Sequence, residues 1–189
     1  MRGDKRERIL RVLLSEEKPL SKSNLSKKAE CTRQWVILFL KQLEKKSLVK
    51  GTNVLSRKKL LYYWLGIERH KSKFKMYMVR DPLRALKNSN IDYALTTYQA
   101  ENLVQHYLFP SRTDLYVKEE DMDEWHRIMT KNGLYGNGNV RIIPYDKHVL
   151  YGRRKIHGLF IVSLPQMIID LIREGGPCEE AAEMLLKKL

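Results

Sequence analysis

The chain has 189 residues, enough for a helix-turn-helix of roughly 65 residues joined to a second compact domain. Its 43% hydrophobic fraction and 10 tyrosines argue for a folded chain. The net charge of +14 is uneven: residues 1–69 carry 18 Lys/Arg against 7 Asp/Glu, and residues 70–189 carry 18 against 15, so the first half is the candidate to meet a polyanion.

No run of eighteen apolar residues occurs, and no apolar signal core follows Met1-Arg2-Gly3-Asp4, which reads as a cytoplasmic chain with no membrane association. Cys31 and Cys178 stand apart without metal-type or CxxC spacing and read as ordinary small side chains.

Asp4 followed by Glu7 predicts a capping box, and Ile9, Leu10, Val12, Leu13 and Leu14 supply the apolar face of a first helix ending near Ser15. Lys18-Pro19-Leu20 stops it. Ser21 starts a short second helix with Leu25 and Ala29 on one face, and Glu30-Cys31-Thr32 is the turn. Thr32 caps a longer third helix in which Val36, Leu40 and Leu43 face a core. Lys50-Gly51-Thr52-Asn53 is then a turn, and Arg57-Lys58-Lys59 leads into the apolar run Leu60–Leu65, predicting a hairpin wing with a basic flank.

From Leu43 to Val49 the sequence resembles the end of the recognition helix in winged-helix repressors. That resemblance implies double-stranded DNA as partner, with Arg33, Gln34 and Lys41 as base or backbone contacts and Lys50, Arg57, Lys58 and Lys59 as phosphate contacts. One feature departs from a groove-reading helix: Trp35, Ile37, Leu38 and Phe39 make it apolar nearly all round, so part of it must be covered by the second domain, a partner or a second subunit. A homodimer is the expected assembly.

Residues 70–189 read as an α+β domain, entered through the basic stretch His70-Lys71-Ser72-Lys73. Strands are expected at 74–79, 113–118, 140–145 and 159–162, and helices at 82–88, 96–108 and 120–131. Ser163-Leu164-Pro165-Gln166 predicts a capping box opening a helix through Ile168, Leu171 and Ile172, closed by Gly175-Gly176, with a last helix from Pro177. The fold class is therefore α+β: an N-terminal winged helix-turn-helix over 1–69 and a mixed α+β domain over 70–189.

Tyr93-Ala94-Leu95-Thr96, Val140-Arg141-Ile142-Ile143-Pro144, Val162–Gln166, Asp170-Leu171 and Gly175–Glu183 together resemble the C-terminal domain of AbiEi-type antitoxins and transcriptional regulators of type IV toxin-antitoxin and phage-defence systems. The resemblance implies a DNA-binding repressor of its own operon that counteracts a nucleotidyltransferase-like toxin protein.

A metal-dependent nuclease is the alternative from another class, and an adaptor holding a protein partner on the third helix is another. After residue 70 no Asp or Glu has Lys two positions on, and Glu16-x-Lys18 and Glu44-x-Lys46 read as surface charge. The acids from Asp114 to Glu124 beside His126 fit a helix start, where carboxylates complement the dipole. The remaining histidines lack zinc spacing, the glycines of 134–139 lack the Lys-Ser/Thr of a phosphate loop, and Ser163 is in no GxSxG elbow. No enzyme, catalytic residue, metal or cofactor is expected.

Overall fold

A computed structural model describes residues 4–67 and 73–189. Three helices come first: α1 (Lys5–Ser15), α2 (Lys22–Lys28) and α3 (Arg33–Lys45). Each has the start its sequence announces, since the side chains of Asp4, Ser21 and Thr32 accept hydrogen bonds from the backbone N–H groups of Arg6, Asn24 and Trp35. β1 (Val49–Lys50) and β2 (Asn53–Val54) pair as a short antiparallel hairpin. Gly51 sits in its turn at a φ of +62°, which a side chain would strain.

The next segment corrects the expectation of a second wing strand: Leu60–Leu65 belongs to a helix, α4 (Arg57–Leu65), capped by Ser56 accepting from the Lys59 N–H. Leu60, Leu61 and Trp64 recur at helical spacing and are buried, and residues 57–65 contain no β-branched side chain that would favour a strand. The boundary between residues 69 and 70 and the basic stretch His70–Ser72 lie outside the described residues.

The remaining chain alternates strands and helices: β3 (Lys75–Val79), α5 (Pro82–Lys87), β4 (Tyr93–Thr96), α6 (Thr97–Gln105), β5 (Thr113–Lys118), α7 (Met122–Lys131), β6 (Gly133–Tyr135), β7 (Val140–Tyr145), β8 (Arg154–Ile156), β9 (Leu159–Ile161), α8 (Leu164–Glu174) and α9 (Pro177–Leu186). The strands form one seven-stranded mixed sheet in the order β6-β3-β7-β5-β4-β9-β8, with β5–β7 and β4–β9 parallel. The chain is thus an α+β protein, N-terminal helices followed by a mixed sheet with helices. No helix among the described residues is long and apolar enough to cross a membrane.

Strand alternation sorts the two faces of the sheet. Tyr93 of β4 turns toward α7, where its ring meets Trp125 edge-on at 5.7 Å. Thr96 of the same strand and Tyr116 of β5 turn the other way and donate to Asp170 of α8 at 2.7 and 2.9 Å. Ile168, Leu171 and Leu185 are fully buried, while Leu164 and Met184 are half-buried.

Buried residues from the N-terminal helices and from the sheet form one continuous apolar cluster, with α1 and α4 lying against α8. The seam carries polar contacts as well. Arg8 of α1 clasps Asp146 at 2.6 and 2.7 Å, and Glu7 accepts from Trp64 Nε1 at 3.2 Å and from the Tyr145 hydroxyl at 2.7 Å. Arg11, 1% exposed, donates to Gln166 Oε1 and to His148 Nδ1 and lies over the Trp64 ring.

Of the two predicted capping boxes, the first forms by half and the second makes neither of its bonds. Asp4 caps α1, but Glu7 is spent on Trp64 and Tyr145. Ser163 occupies the cap position of α8 without a capping bond, and Gln166 is spent on Arg11 and Asp170.

Candidate nucleic-acid interface

The third helix divides cleanly by burial. Val36, Phe39, Leu40 and Leu43 face the core, whereas Arg33, Gln34 and Lys41 are exposed. Four-residue and three-residue steps set this division, because they return a side chain to the same side of a helix. Arg33 and Lys41 form no ion pair among the described residues. Gln42 and Lys45 are exposed on the same helix.

The four apolar residues that demanded a cover separate into two groups. Phe39 is in the core, 6.4 Å from the Tyr63 ring of α4, and Ile37 is half-buried. Part of the cover therefore comes from the chain itself, through α4. Trp35 and Leu38 remain exposed at 37% and 56%, and the Lys5 ammonium stands 5.7 Å from the Trp35 ring centroid.

The hairpin presents Lys50 to solvent, yet its tip is fastened to the body. Gly51 N–H donates to Glu44 Oε1 at 2.7 Å, and the Thr52 hydroxyl donates to the Leu20 carbonyl at 2.5 Å. Arg57, Lys58 and Lys59 occupy the first turn of α4 and not a strand, a place where cations oppose the helix dipole. Lys58 and Lys59 are exposed. Arg57 is half-buried and donates to the Leu14 and Glu16 carbonyls at 3.0 and 2.6 Å, so it closes the C-terminus of α1.

This separation gives an expected result. Arg57→Ala should lower stability by about 1 to 3 kcal/mol through the two lost charge-assisted bonds, with little change in the salt dependence of DNA binding. Lys58→Ala with Lys59→Ala should leave stability almost unchanged and flatten the slope of log affinity against log salt by up to about 1.8. Chemical denaturation and salt-dependent anisotropy titrations check both halves.

The acids grouped by sequence from Asp114 to Glu124 do not form one cluster. Glu119–Asp121 makes a 3-10 turn leading into α7, whose first turn carries Asp123 and Glu124. Asp114 is buried in the sheet instead, where it accepts from Arg112, Arg141 and the Thr97 hydroxyl, while Glu174 bridges both arginines. Among the described residues, no three His, Cys, Asp or Glu side chains are placed to hold a metal ion. Burial pushes both thiols upward from their ordinary value, which keeps Cys31 and Cys178 protonated near neutral pH.

Comparison with protein-family models, with curated proteins and with solved structures gives no match.

Proposed function

We propose that this chain is a DNA-binding transcriptional regulator of the antitoxin type, which holds duplex DNA through a winged helix-turn-helix built from α1–α3 and the β1–β2 hairpin. The observation that carries the reading is the outer face of α3, with Arg33, Gln34 and Lys41 free in solvent while its inner face is locked into the core. An exposed helix of this kind fits the major groove, with Arg33 and Gln34 suited to base edges. Lys41, Lys50, Lys58 and Lys59 supply phosphate contacts, and Arg57 acts by fixing α4 against α1. The +11 balance of residues 1–69 supports the same partner.

The AbiEi-type resemblance extends the proposal: the sheet and its helices would engage a nucleotidyltransferase-like toxin. Gel retardation with genomic fragments, repeated with magnesium or manganese, tests the regulator reading. Retarded, intact DNA is the expected outcome; cleavage, or no retardation at low salt, overturns it.

Exposed Trp35 and Leu38 favour a second reading, in which α3 holds a second copy or a protein partner. Trp35→Glu with Leu38→Glu should then convert a dimer to a monomer in light scattering. A monomer before and after substitution, with DNA binding impaired, places these side chains against DNA.

A further inference from the structure

An open cleft of about 550 Å³ lies between α5 and the C-terminal end of α7, lined by Arg80, Arg84 and Lys131 together with Asn88 and Ser89. Arg84 and Lys87 stand three residues apart on α5 and both turn to solvent, a spacing that returns side chains to one side of a helix. Lys87 reaches the β8–β9 turn, where a Cβ at Gly158 would lie 3.8 Å from its Cε. Lys155 of β8 continues the row. Its ammonium stands 5.3 Å from the Phe160 ring centroid, and Phe160 meets Tyr93 edge-on, so Lys155 is on the sheet face that Tyr93 shares with α7.

These five cations run from the end of α7 across α5 to the β8–β9 hairpin. All are exposed, and none forms an ion pair among the described residues. One acid, Asp81, lines the cleft, and its Oδ1 accepts from the Arg84 N–H at 3.1 Å as the cap of α5. Asp92 is held by Lys118 and by Arg153, each at 2.7 Å. The acids of α7, Asp123 and Glu124, are in its first turn, roughly 10 Å along the axis from Lys131. The row therefore projects a positive field that the chain itself leaves uncompensated.

Five cations exceed the charge of a single phosphate, and the open cleft does not enclose a ligand as small-molecule sites do. A repeating anion matches them. No aromatic side chain lines the cleft for an unpaired base to stack on, and Phe160 is already covered by Arg153 and Lys155. Ser89 accepts from the Ile91 N–H at 3.1 Å and keeps its own proton to donate, and the exposed Asn88 amide adds a second neutral donor suited to phosphate oxygens. We infer that this row binds the phosphate backbone of a nucleic-acid duplex without reading its sequence. The sheet separates it from α8 and from α1 and α4, which pack on α8, so it is a second surface that does not depend on the outer face of α3.

The test is anisotropy titration of the full chain with a short random-sequence DNA duplex over a series of salt concentrations. Arg84→Gln with Lys131→Gln should flatten the slope of log affinity against log salt by up to about 1.8. Lys187→Gln with Lys188→Gln, exposed just beyond α9, removes the same charge and should keep the parent slope. Both pairs are exposed, and equal thermal unfolding verifies that the fold is kept. The first pair should flatten the slope equally in an Arg33→Ala, Lys41→Ala background, so a failure of the α3 reading is distinguishable from a failure here. No binding at low salt, the parent slope in the first pair, or equal flattening in both pairs overturns the assignment. Tighter binding of a single strand, or displacement of the duplex by inorganic phosphate at constant ionic strength, overturns it as well.

Discussion

Leu171→Ala is expected to cost about 2 to 5 kcal/mol of stability, the range for truncating a fully enclosed leucine. Leu171 is 0% exposed on α8, the helix that faces the sheet on one side and meets α1 and α4 on another. The cavity would open where the apolar cluster joins the N-terminal helices to the sheet, with Ile168 and Ile169 buried on the same helix. Urea denaturation followed by tryptophan fluorescence measures it, since Trp64 of α4 and Trp125 of α7 are both buried. A loss below about half a kcal/mol would mean that α8 does not bear on the core.

The second large effect is on pH. His148 is buried, and burial, followed by the nearby Arg11 guanidinium, pushes its pKa from 6.5 down to about 4. Arginine only donates, so Nδ1 must accept from Arg11, and the ring proton sits on Nε2 and is donated to the Lys28 carbonyl at 2.9 Å. The folded chain therefore keeps His148 neutral where the unfolded chain protonates it. Stability is complete above pH 6.5 and drains away as the pH falls from 6.5 toward 4, by about 3 kcal/mol. His148→Gln preserves one acceptor and one donor but cannot titrate. Its unfolding free energy should fall by about 2 kcal/mol less than that of the parent between pH 7 and pH 4.5. Parallel curves for the two proteins would contradict the buried neutral imidazole.

Helix starts were legible because a capping side chain and an apolar period act within a few residues. Ser21 and Thr32 cap as their positions announce, and β5 and β7 occupy the stretches that their β-rich composition marks. Glu7 and Gln166 were misread because a residue three places into a helix can reach back to the cap or outward to another element. Their partners, Tyr145 and Arg11, lie 138 and 155 positions away, beyond any local signal.

The apolar run of α4 is ambiguous by period alone; Ser56 ahead of it and the absence of Val, Ile or Thr within it were the signals that decide for a helix. β6 and β8, three residues each, exist only through pairing with β3 and β9. The ion cage around Asp114 was half visible, since Arg112 lies two residues away on the same strand side, but Arg141 joins through the β5–β7 register.

The outer face of α3 was legible as sequence chemistry, with Arg33, Gln34 and Lys41 all exposed as a reading helix requires. Fluorescence anisotropy on a preferred and a scrambled duplex, comparing the parent with Arg33→Ala and with Gln34→Ala, bears most directly on the regulator reading. Each substitution should cost roughly 1 to 3 kcal/mol on the preferred duplex and little on the scrambled one, because base-edge contacts carry discrimination. Equal losses on both duplexes, or affinities unchanged from the parent, would contradict it.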